Sequence, residues 1–191
     1  MKIVGLGDSL TFGYGVPRDQ GWFDRMKAHY PKYTWDNRGI PGDSSVGMLR
    51  RFLLDVEVKR PKYLTILGGA NDLIGGASPQ KVTGNLMQIG EKAQAKKATP
   101  IFLLPFFISL NPGANGWLTK SDAEQMYEEI VALREEISVS AEENKWYVFD
   151  PMSVLPNPEA MEQYFLADGI HVNAKLHELI AEELKTRNLF T

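Results

Sequence analysis

The sequence contains no cysteine in its 191 residues. This absence excludes disulfide bonds, thiolate catalysis and cysteine-ligated zinc, and it is compatible with a reducing compartment. The chain also lacks a strong charge of one sign, because 21 basic residues stand against 24 acidic ones and the net charge is −3. We therefore expect no nucleic-acid partner and no electrostatic attraction to an anionic membrane.

Long hydrophobic runs are also missing. The apolar run over residues 101–108 is far shorter than a segment that spans a bilayer, so we predict no stable membrane insertion. A predicted strand begins almost at the first residue and leaves no room for a signal peptide, which favours a cytoplasmic protein. The length suits one well-buried core, and we predict a single domain over residues 1–191.

Common nucleotide-binding and hydrolase motifs are absent or incomplete. No Gly-Lys-Ser or Gly-Lys-Thr occurs, which excludes the phosphate-binding loop of nucleoside triphosphatases. A dinucleotide-binding Gly-x-Gly-x-x-Gly pattern begins at Gly5 and Gly7 but has Leu10 in place of its third glycine, and Asp36 is the acidic residue nearest the end of the second predicted strand. The nucleophile elbow Gly-x-Ser-x-Gly fails as well, because Thr11 replaces its last glycine.

What the chain does contain is an alternation of strand and helix patterns. Short runs with the composition of buried strands alternate with segments of helical periodicity. The predicted strands cover residues 2–6, 34–37, 63–68, 100–106 and 146–150, and the predicted helices cover residues 22–29, 45–58, 80–97, 122–144 and 173–187. Since parallel neighbours need crossover helices, this order predicts an α/β fold, a three-layer α/β/α sandwich with a five-stranded parallel sheet.

Two of the predicted helices carry detailed expectations. The helix over residues 122–144 begins at Ser-Asp-Ala-Glu, residues 121–124, which we interpret as a capping box. Its apolar stripe is predicted to contain Met126, Ile130, Val131, Ile137 and Ala141. In the helix over residues 173–187, the residues predicted to face inward are Leu176, Leu179, Ile180 and Leu184.

Polar motifs follow the first three predicted strands. Ser9 lies in Gly-Asp-Ser-Leu after the first strand, Gly42 lies in Pro-Gly-Asp after the second, and Asn71 lies in Gly-Gly-Ala-Asn-Asp after the third. The carboxyl ends of parallel strands meet at one edge of a sheet, where ligands collect, so we expect these motifs to lie together. Taken singly, Pro-Gly also fits an ordinary turn and Asn-Asp a helix cap.

The chain also supplies the groups that a serine nucleophile needs. A hydroxyl is a poor nucleophile until a base accepts its proton, and imidazole has a suitable pKa for that task. His171 is the candidate base for Ser9, and Asp168 is the candidate group that orients the imidazole. The amides of Ser9 and Gly42 and the side chain of Asn71 are candidate donors to an oxyanion. Alone, the Asp-Gly-Ile-His segment also fits a turn followed by a helix cap.

The remaining acidic and imidazole side chains of interest are assigned structural positions. We predict that Asp8, Asp43 and Asp72 brace the loops around the serine by accepting backbone hydrogen bonds and take no part in proton transfer. His29 and His177 fall inside predicted helices, and we expect both at surface or structural positions.

These motifs resemble the four sequence blocks of the SGNH hydrolase superfamily, also called the GDSL esterases and lipases. The Ser, Gly, Asn and His of that name correspond to Ser9, Gly42, Asn71 and His171, in family order and at family spacing over nearly the whole chain. The resemblance implies the flavodoxin-like SGNH hydrolase fold, a triad completed by Asp168, and an oxyanion hole made by the serine amide, the glycine amide and the asparagine. One departure follows the histidine, where the family often has proline and this chain has valine.

We predict a serine esterase that hydrolyses small or short-chain carboxylic esters through an acyl-enzyme intermediate, with no metal or organic cofactor. The sequence leaves open a catalytically silent ligand-binding module of the same fold and, within the enzyme class, a lysophospholipase, a thioesterase or a carbohydrate deacetylase. Candidate pocket walls beside the loop of residues 107–119 are Phe12, Tyr14, Phe106, Phe107 and Trp117; all of these also fit the core, and Phe106 fits it better. Phe190 is a candidate subunit contact, and the oligomeric state stays open.

Overall fold

The computed structural model describes residues 1–111, 119–155 and 158–190, and its centre is a five-stranded parallel sheet. The strands are β1 (Lys2–Gly7), β2 (Thr34–Gly39), β3 (Tyr63–Leu67), β4 (Thr99–Leu103) and β5 (Tyr147–Phe149). Their order across the sheet is β2-β1-β3-β4-β5, and every neighbouring pair is parallel. The strand order reverses at β1, and in folds of this class ligands bind at the carboxyl ends beside such a reversal.

Helices make the connections between the strands. They are α1 (Ser9–Phe12), α2 (Trp22–His29), α3 (Ser45–Phe52), α4 (Ala70–Ile74), α5 (Pro79–Ala95), α6 (Lys120–Glu143) and α7 (Ala174–Thr186), with short 3₁₀ helices at Arg18–Gln20, Pro151–Val154 and Pro158–Tyr164. The predicted helix over residues 45–58 is helical as far as Glu57, but α3 ends at Phe52 and the chain continues as a π-helical segment, Leu53–Glu57. Among the described residues, no helix has the length and hydropathy needed to span a membrane.

Alternating side chains of the strands build two separate core layers. One layer places Val4 and Leu6 of β1 against α3, α5 and α6. The other places Ile3 of β1, together with Ile101 and Leu103 of β4, against α2 and α7. Successive residues of a strand point to opposite faces, and here helices cover both faces of the sheet. The strands therefore need apolar residues at nearly every position. The predicted three-layer α/β/α sandwich is confirmed.

The structure of α6 corrects two details of the prediction, its N-terminal cap and one residue of its apolar stripe. Its N-cap is Thr119, whose hydroxyl accepts the Asp122 N–H while the Asp122 carboxylate accepts the Thr119 N–H at 3.1 Å. The predicted capping box at residues 121–124 was therefore placed two residues too late. Val131, predicted in the apolar stripe, is 43% exposed, and Leu133 is buried instead. The other residues predicted for the stripe, Met126, Ile130, Ile137 and Ala141, are buried, so the predicted phase of the helix is confirmed.

The end of the chain packs into the core. Phe190 is 1% exposed, and its ring makes edge contacts with Trp35 at 5.1 Å and Tyr63 at 5.5 Å between centroids. A side chain covered by its own protein is not available to a second subunit. The expectation that Phe190 marks a subunit contact is therefore wrong.

His177 of α7 occupies a structural position, as expected. Its side chain is fully buried, and Nδ1 accepts the Trp22 N–H at 3.3 Å. Burial is the main cause that lowers the pKa of His177 to about 4, and electrostatic interactions with Arg25 and His171 contribute to the lowering. The other helical histidine, His29, is only partly buried and lies 3.2 Å from Glu182.

The depressed pKa of His177 predicts a pH-dependent stability. Below the ordinary pKa of histidine, His177 is protonated in the unfolded chain but stays neutral in the folded chain. The free energy of unfolding therefore decreases as the pH falls towards about 4. Glutamine at this position keeps an acceptor for the Trp22 N–H but does not titrate. The unfolding free energy of wild type minus that of His177→Gln should therefore fall by about 2 kcal/mol between about pH 8 and about pH 5.

Urea unfolding at the two pH values measures this difference directly, and taking the difference removes the contribution of every other titrating group. His29→Gln is the matched control, because that imidazole is partly exposed and faces a carboxylate. A difference for His177→Gln that stays constant across the pH range would contradict the assignment of a neutral buried imidazole.

Candidate active site

Ser9 is placed at the edge of the sheet by the abrupt change from strand to helix. β1 ends at Gly7, and Asp8 caps α1 by accepting the Leu10 N–H on Oδ1 at 2.9 Å. Ser9 is thus the first residue of a helix, where backbone N–H groups have no intrahelical acceptor. Its side chain lies in the wall of a cavity of about 390 Å³ together with Gly42, Asn71 and His171.

The serine hydroxyl and the imidazole meet across almost the full length of the chain. Ser9 Oγ lies 2.9 Å from His171 Nε2, and His171 Nδ1 lies 2.6 Å from Asp168 Oδ2. An ionised carboxylate only accepts hydrogen bonds, so Nδ1 carries a proton and Nε2 of the neutral ring is left as an acceptor towards Ser9. The arrangement can remove a proton from the serine hydroxyl and hold it on the ring.

The loop that carries Asp168 and His171 is fixed mainly by its own backbone. Asp168 Oδ1 accepts the Ile170 N–H at 3.0 Å and the His171 N–H at 2.8 Å, which folds the loop into a tight turn. Gly169 has φ +66°, and its carbonyl accepts the Ser109 N–H at 2.7 Å. The imidazole is therefore presented from a braced turn rather than from a free loop.

Asp168 is ionised over a wide pH range. Partial burial opposes its ionisation, but the His171 N–H, the His171 ring and the Ile170 N–H outweigh that cost and hold the pKa of Asp168 below its ordinary value. On acidification the Asp168 carboxylate therefore keeps its charge to a lower pH than an ordinary aspartate does.

Two further donor groups face the cavity from neighbouring loops. Gly42 follows β2 in a turn with φ +79°, a conformation that glycine adopts without strain, and no acceptor for its N–H lies among the described residues. Asn71 lies in the first turn of α4 and donates one Nδ2 hydrogen to the Asp43 carbonyl at 2.9 Å. Because an amide carries two such hydrogens, the second is left for a ligand. The structure brings together all five residues predicted for the site.

Comparison with known proteins places the chain in a family. The sequence profile of the GDSL-like lipase/acylhydrolase family matches residues 6–179. The chain belongs to this family. In sequence it is similar to Esterase TesA of Pseudomonas aeruginosa, with 29% identity over 105 residues, which cover 53% of this chain and 52% of that protein. It is also similar to an arylesterase of Vibrio mimicus, with 33% identity over 92 residues, 46% of each protein.

The matched segments span about half the length of these curated relatives. A structural likeness extends further, because a member of the lipolytic protein G-D-S-L family from Veillonella parvula covers 100% of both chains with a TM-score of 0.83 and 24% sequence identity. At that identity the likeness establishes the fold, which agrees with the three-layer architecture described above.

The acidic side chains around the GDSL serine brace its loops, as predicted. Asp8 caps α1, Asp43 accepts the Ser44 N–H at 3.0 Å, and Asp72 accepts the Ser45 N–H at 2.8 Å. Burial raises the pKa of Asp8 to about 7; the Leu10 N–H opposes the rise, and the charges of Asp43 and Asp72 add to it. Among the described contacts, none joins the Asp8 carboxylate to the serine hydroxyl or the imidazole.

The aromatic residues that the sequence offered as pocket walls or as core divide between these two positions in this GDSL chain, and Phe106 lies in the core, as its sequence position favoured. Tyr14 does line the cavity, 47% exposed, with its ring centroid 4.5 Å from that of His171. Phe106 is buried in the core, and Phe107 stacks on Tyr127 at 4.7 Å. The half-buried Phe12 ring lies beneath the Arg18 guanidinium rather than in the cavity wall. Trp117 lies outside the described residues.

Sequence reasoning also missed residues that shape the site. Ile74, 45% exposed at the end of α4, lines the cavity together with Ile170 and Leu10. Arg51 of α3 reaches back to the ends of β1 and β2. No local pattern identifies either residue, because both act through contacts between distant segments. Within the described ranges, no group of three or more histidine, aspartate or glutamate side chains is arranged to hold a metal ion.

Proposed function

We propose that the chain is a serine esterase in which Ser9 attacks a carboxylic ester, His171 is the general base and Asp168 orients the imidazole. The observation that carries this proposal is the continuous hydrogen-bonded series Asp168–His171–Ser9, with spacings of 2.6 Å and 2.9 Å, at the wall of an open cavity. A ligand-binding module of the same fold would have no need for a base held in register with a hydroxyl. This geometry favours the enzyme over that alternative.

The proposed reaction has two halves. Ser9 Oγ adds to the ester carbonyl as His171 Nε2 takes its proton, and the alcohol leaves with that proton to give an acyl-enzyme. Water then adds to the acyl carbonyl with the same imidazole as base, and Ser9 is released with its proton restored. In both halves the negative charge on the carbonyl oxygen is stabilised by the Ser9 and Gly42 amides and by Asn71 Nδ2.

The cavity favours a small acyl group. Its volume is about 390 Å³, and its apolar wall comes from Leu10, Ile74 and Ile170. The relatives named above are called an esterase and an arylesterase. We therefore propose short-chain carboxylic esters, including esters of phenols, as the substrate class of this chain.

A series of p-nitrophenyl esters of increasing acyl length tests the proposed function, with Ser9→Ala assayed beside the wild type. We expect kcat/KM to be largest for acetate to butyrate and to decline for longer chains, because the cavity has a volume of only about 390 Å³. Equal rates for wild type and Ser9→Ala would instead support the ligand-binding module. Values that rise through decanoate would contradict the short-chain assignment and point to a lipase or thioesterase.

Removing one oxyanion donor should slow the reaction without weakening substrate binding. Asn71→Ala is expected to lower kcat by about 10²-fold with little change in KM, since the amide contacts the oxygen most strongly when that oxygen is charged. Steady-state kinetics on p-nitrophenyl acetate measure both constants. Asn85→Ala is a matched control, because Asn85 donates to Ser45 Oγ nearby but does not line the cavity. A higher KM with unchanged kcat would contradict the assignment.

A further inference from the structure

The Arg51 side chain lies beside the site and donates hydrogen bonds to four partners on different segments of the chain. Its guanidinium donates from Nε to Asp43 Oδ2 at 2.7 Å, from Nη1 to the Arg38 carbonyl at 2.7 Å and to Asp55 Oδ2 at 2.8 Å, and from Nη2 to the Gly7 carbonyl at 2.8 Å. The side chain is 14% exposed. Charge-assisted hydrogen bonds of this kind are among the strong ones in proteins, and all three nitrogens of the fork are used.

These contacts join the segments that carry the proposed oxyanion hole. Gly7 is the last residue of β1 and lies two positions before Ser9. Asp43 directly follows Gly42, and its own carbonyl accepts the Asn71 Nδ2 hydrogen at 2.9 Å. One guanidinium therefore holds the turn after β2 against the end of β1, and through Asp43 it also supports the asparagine that follows β3.

We propose that Arg51 is a positioning residue of the oxyanion hole, which fixes the distance of the Gly42 amide and the Asn71 side chain from Ser9. The inference rests on the proposed esterase function and adds a residue to it. Arg51 does not line the cavity, so it acts on the reaction indirectly, through Asp43 and through the carbonyls at the ends of β1 and β2. Oxyanion donors must be within a few tenths of an ångström of their productive positions, so a looser turn lowers the rate of the chemical step.

Arginine is required here by geometry. The partners of Nε, Nη1 and Nη2 lie in different directions around the planar guanidinium. A lysine ammonium is a single point on a flexible stem and can satisfy only some of them at once. Arg51→Lys should therefore keep the charge and the fold but lose part of the positioning.

The chain offers a matched control in the adjacent residue. Arg50 is on the same helix and is exposed. We expect kcat on p-nitrophenyl acetate to fall about tenfold in Arg51→Lys and about 10²-fold in Arg51→Met, with KM within about threefold of wild type. Arg50→Lys and Arg50→Met should stay within about twofold of wild type in both constants.

A double variant distinguishes positioning from general support of the fold. If Arg51 acts by positioning the oxyanion donors, then Arg51→Lys should lower kcat much less in the Asn71→Ala background than in the wild type. The loss in the double variant is then smaller than the product of the two single losses. Independent losses that multiply in the double variant would overturn the proposal. So would Arg51 variants that match their Arg50 counterparts, or a loss confined to KM.

Circular dichroism and thermal unfolding establish which variants are folded. If Arg51→Met does not fold, Arg51→Lys decides the question alone; if neither folds, Arg51 is a stability residue and the positioning role is overturned. Failure of the proposed function has a different signature, because wild-type turnover would then not exceed that of Ser9→Ala. An active, Ser9-dependent wild type with unaffected Arg51→Lys kinetics overturns the positioning role alone.

Discussion

Replacing Ser9 by alanine should lower kcat for p-nitrophenyl acetate by at least about 10³-fold, because among the described residues Ser9 has the hydroxyl that is hydrogen-bonded to the proposed base, His171. A residual rate above the uncatalysed reaction is expected, since the oxyanion donors and the cavity still bind and polarise the ester. The thermal stability should change little, because among the described residues the Ser9 hydroxyl forms a hydrogen bond with the imidazole alone.

Ser138→Ala is a suitable control for this experiment. That hydroxyl donates to the Arg134 carbonyl within α6 and lies outside the cavity. It should leave kcat and KM unchanged. A Ser9→Ala protein that retains more than about a tenth of the wild-type kcat would rule out the proposed nucleophile.

Asp168→Asn should lower kcat by about 10³-fold while the fold stays intact. The asparagine carbonyl can still accept the Ile170 and His171 N–H groups that Oδ1 accepts now. Its NH₂ group then faces His171 Nδ1 and donates to it, which places the imidazole proton on Nε2. A protonated Nε2 cannot accept the proton of Ser9 Oγ, so the base is disabled by its tautomer rather than by its position.

Asp19→Asn is the matched control for Asp168→Asn, because Asp19 lies exposed on a 3₁₀ helix outside the site. The pH profile adds a second readout. Because the pKa of Asp168 is lowered, the wild-type carboxylate should stay ionised to a lower pH than an ordinary aspartate, so its protonation should not limit activity at mildly acidic pH. Full activity of Asp168→Asn would show that the imidazole does not depend on this carboxylate for its orientation.

The sheet could be predicted from the sequence because its strands are buried on both faces. The run in β3 is buried at every position and apolar except at Thr65, and the flanking glycine, proline and asparagine residues mark the ends of such runs. α1 and α4 were missed because four and five residues are too few to show a helical period. These two short helices carry Ser9 and Asn71, so the least predictable elements of the fold lie at the site.

The residues of the site could be predicted because each follows a strand or stands in a distinctive turn, and parallel strands bring such positions to one edge. Their surroundings could not. Phe106 and Phe107 are adjacent in sequence, yet one lies in the core and the other stacks on Tyr127. Arg51 shows the same limit, since its contacts with Gly7 and Asp43 span distant parts of the chain.

The most direct test is covalent trapping of the nucleophile. The wild-type protein is treated with a fluorophosphonate, which phosphonylates an activated serine with loss of fluoride, and is then digested and analysed by mass spectrometry. We predict one adduct, on Ser9 of the amino-terminal peptide, formed at least about 10²-fold more slowly in Asp168→Asn and absent from Ser9→Ala. An adduct on another residue, or full esterase activity in a protein whose Ser9 carries the adduct, would contradict the proposed mechanism.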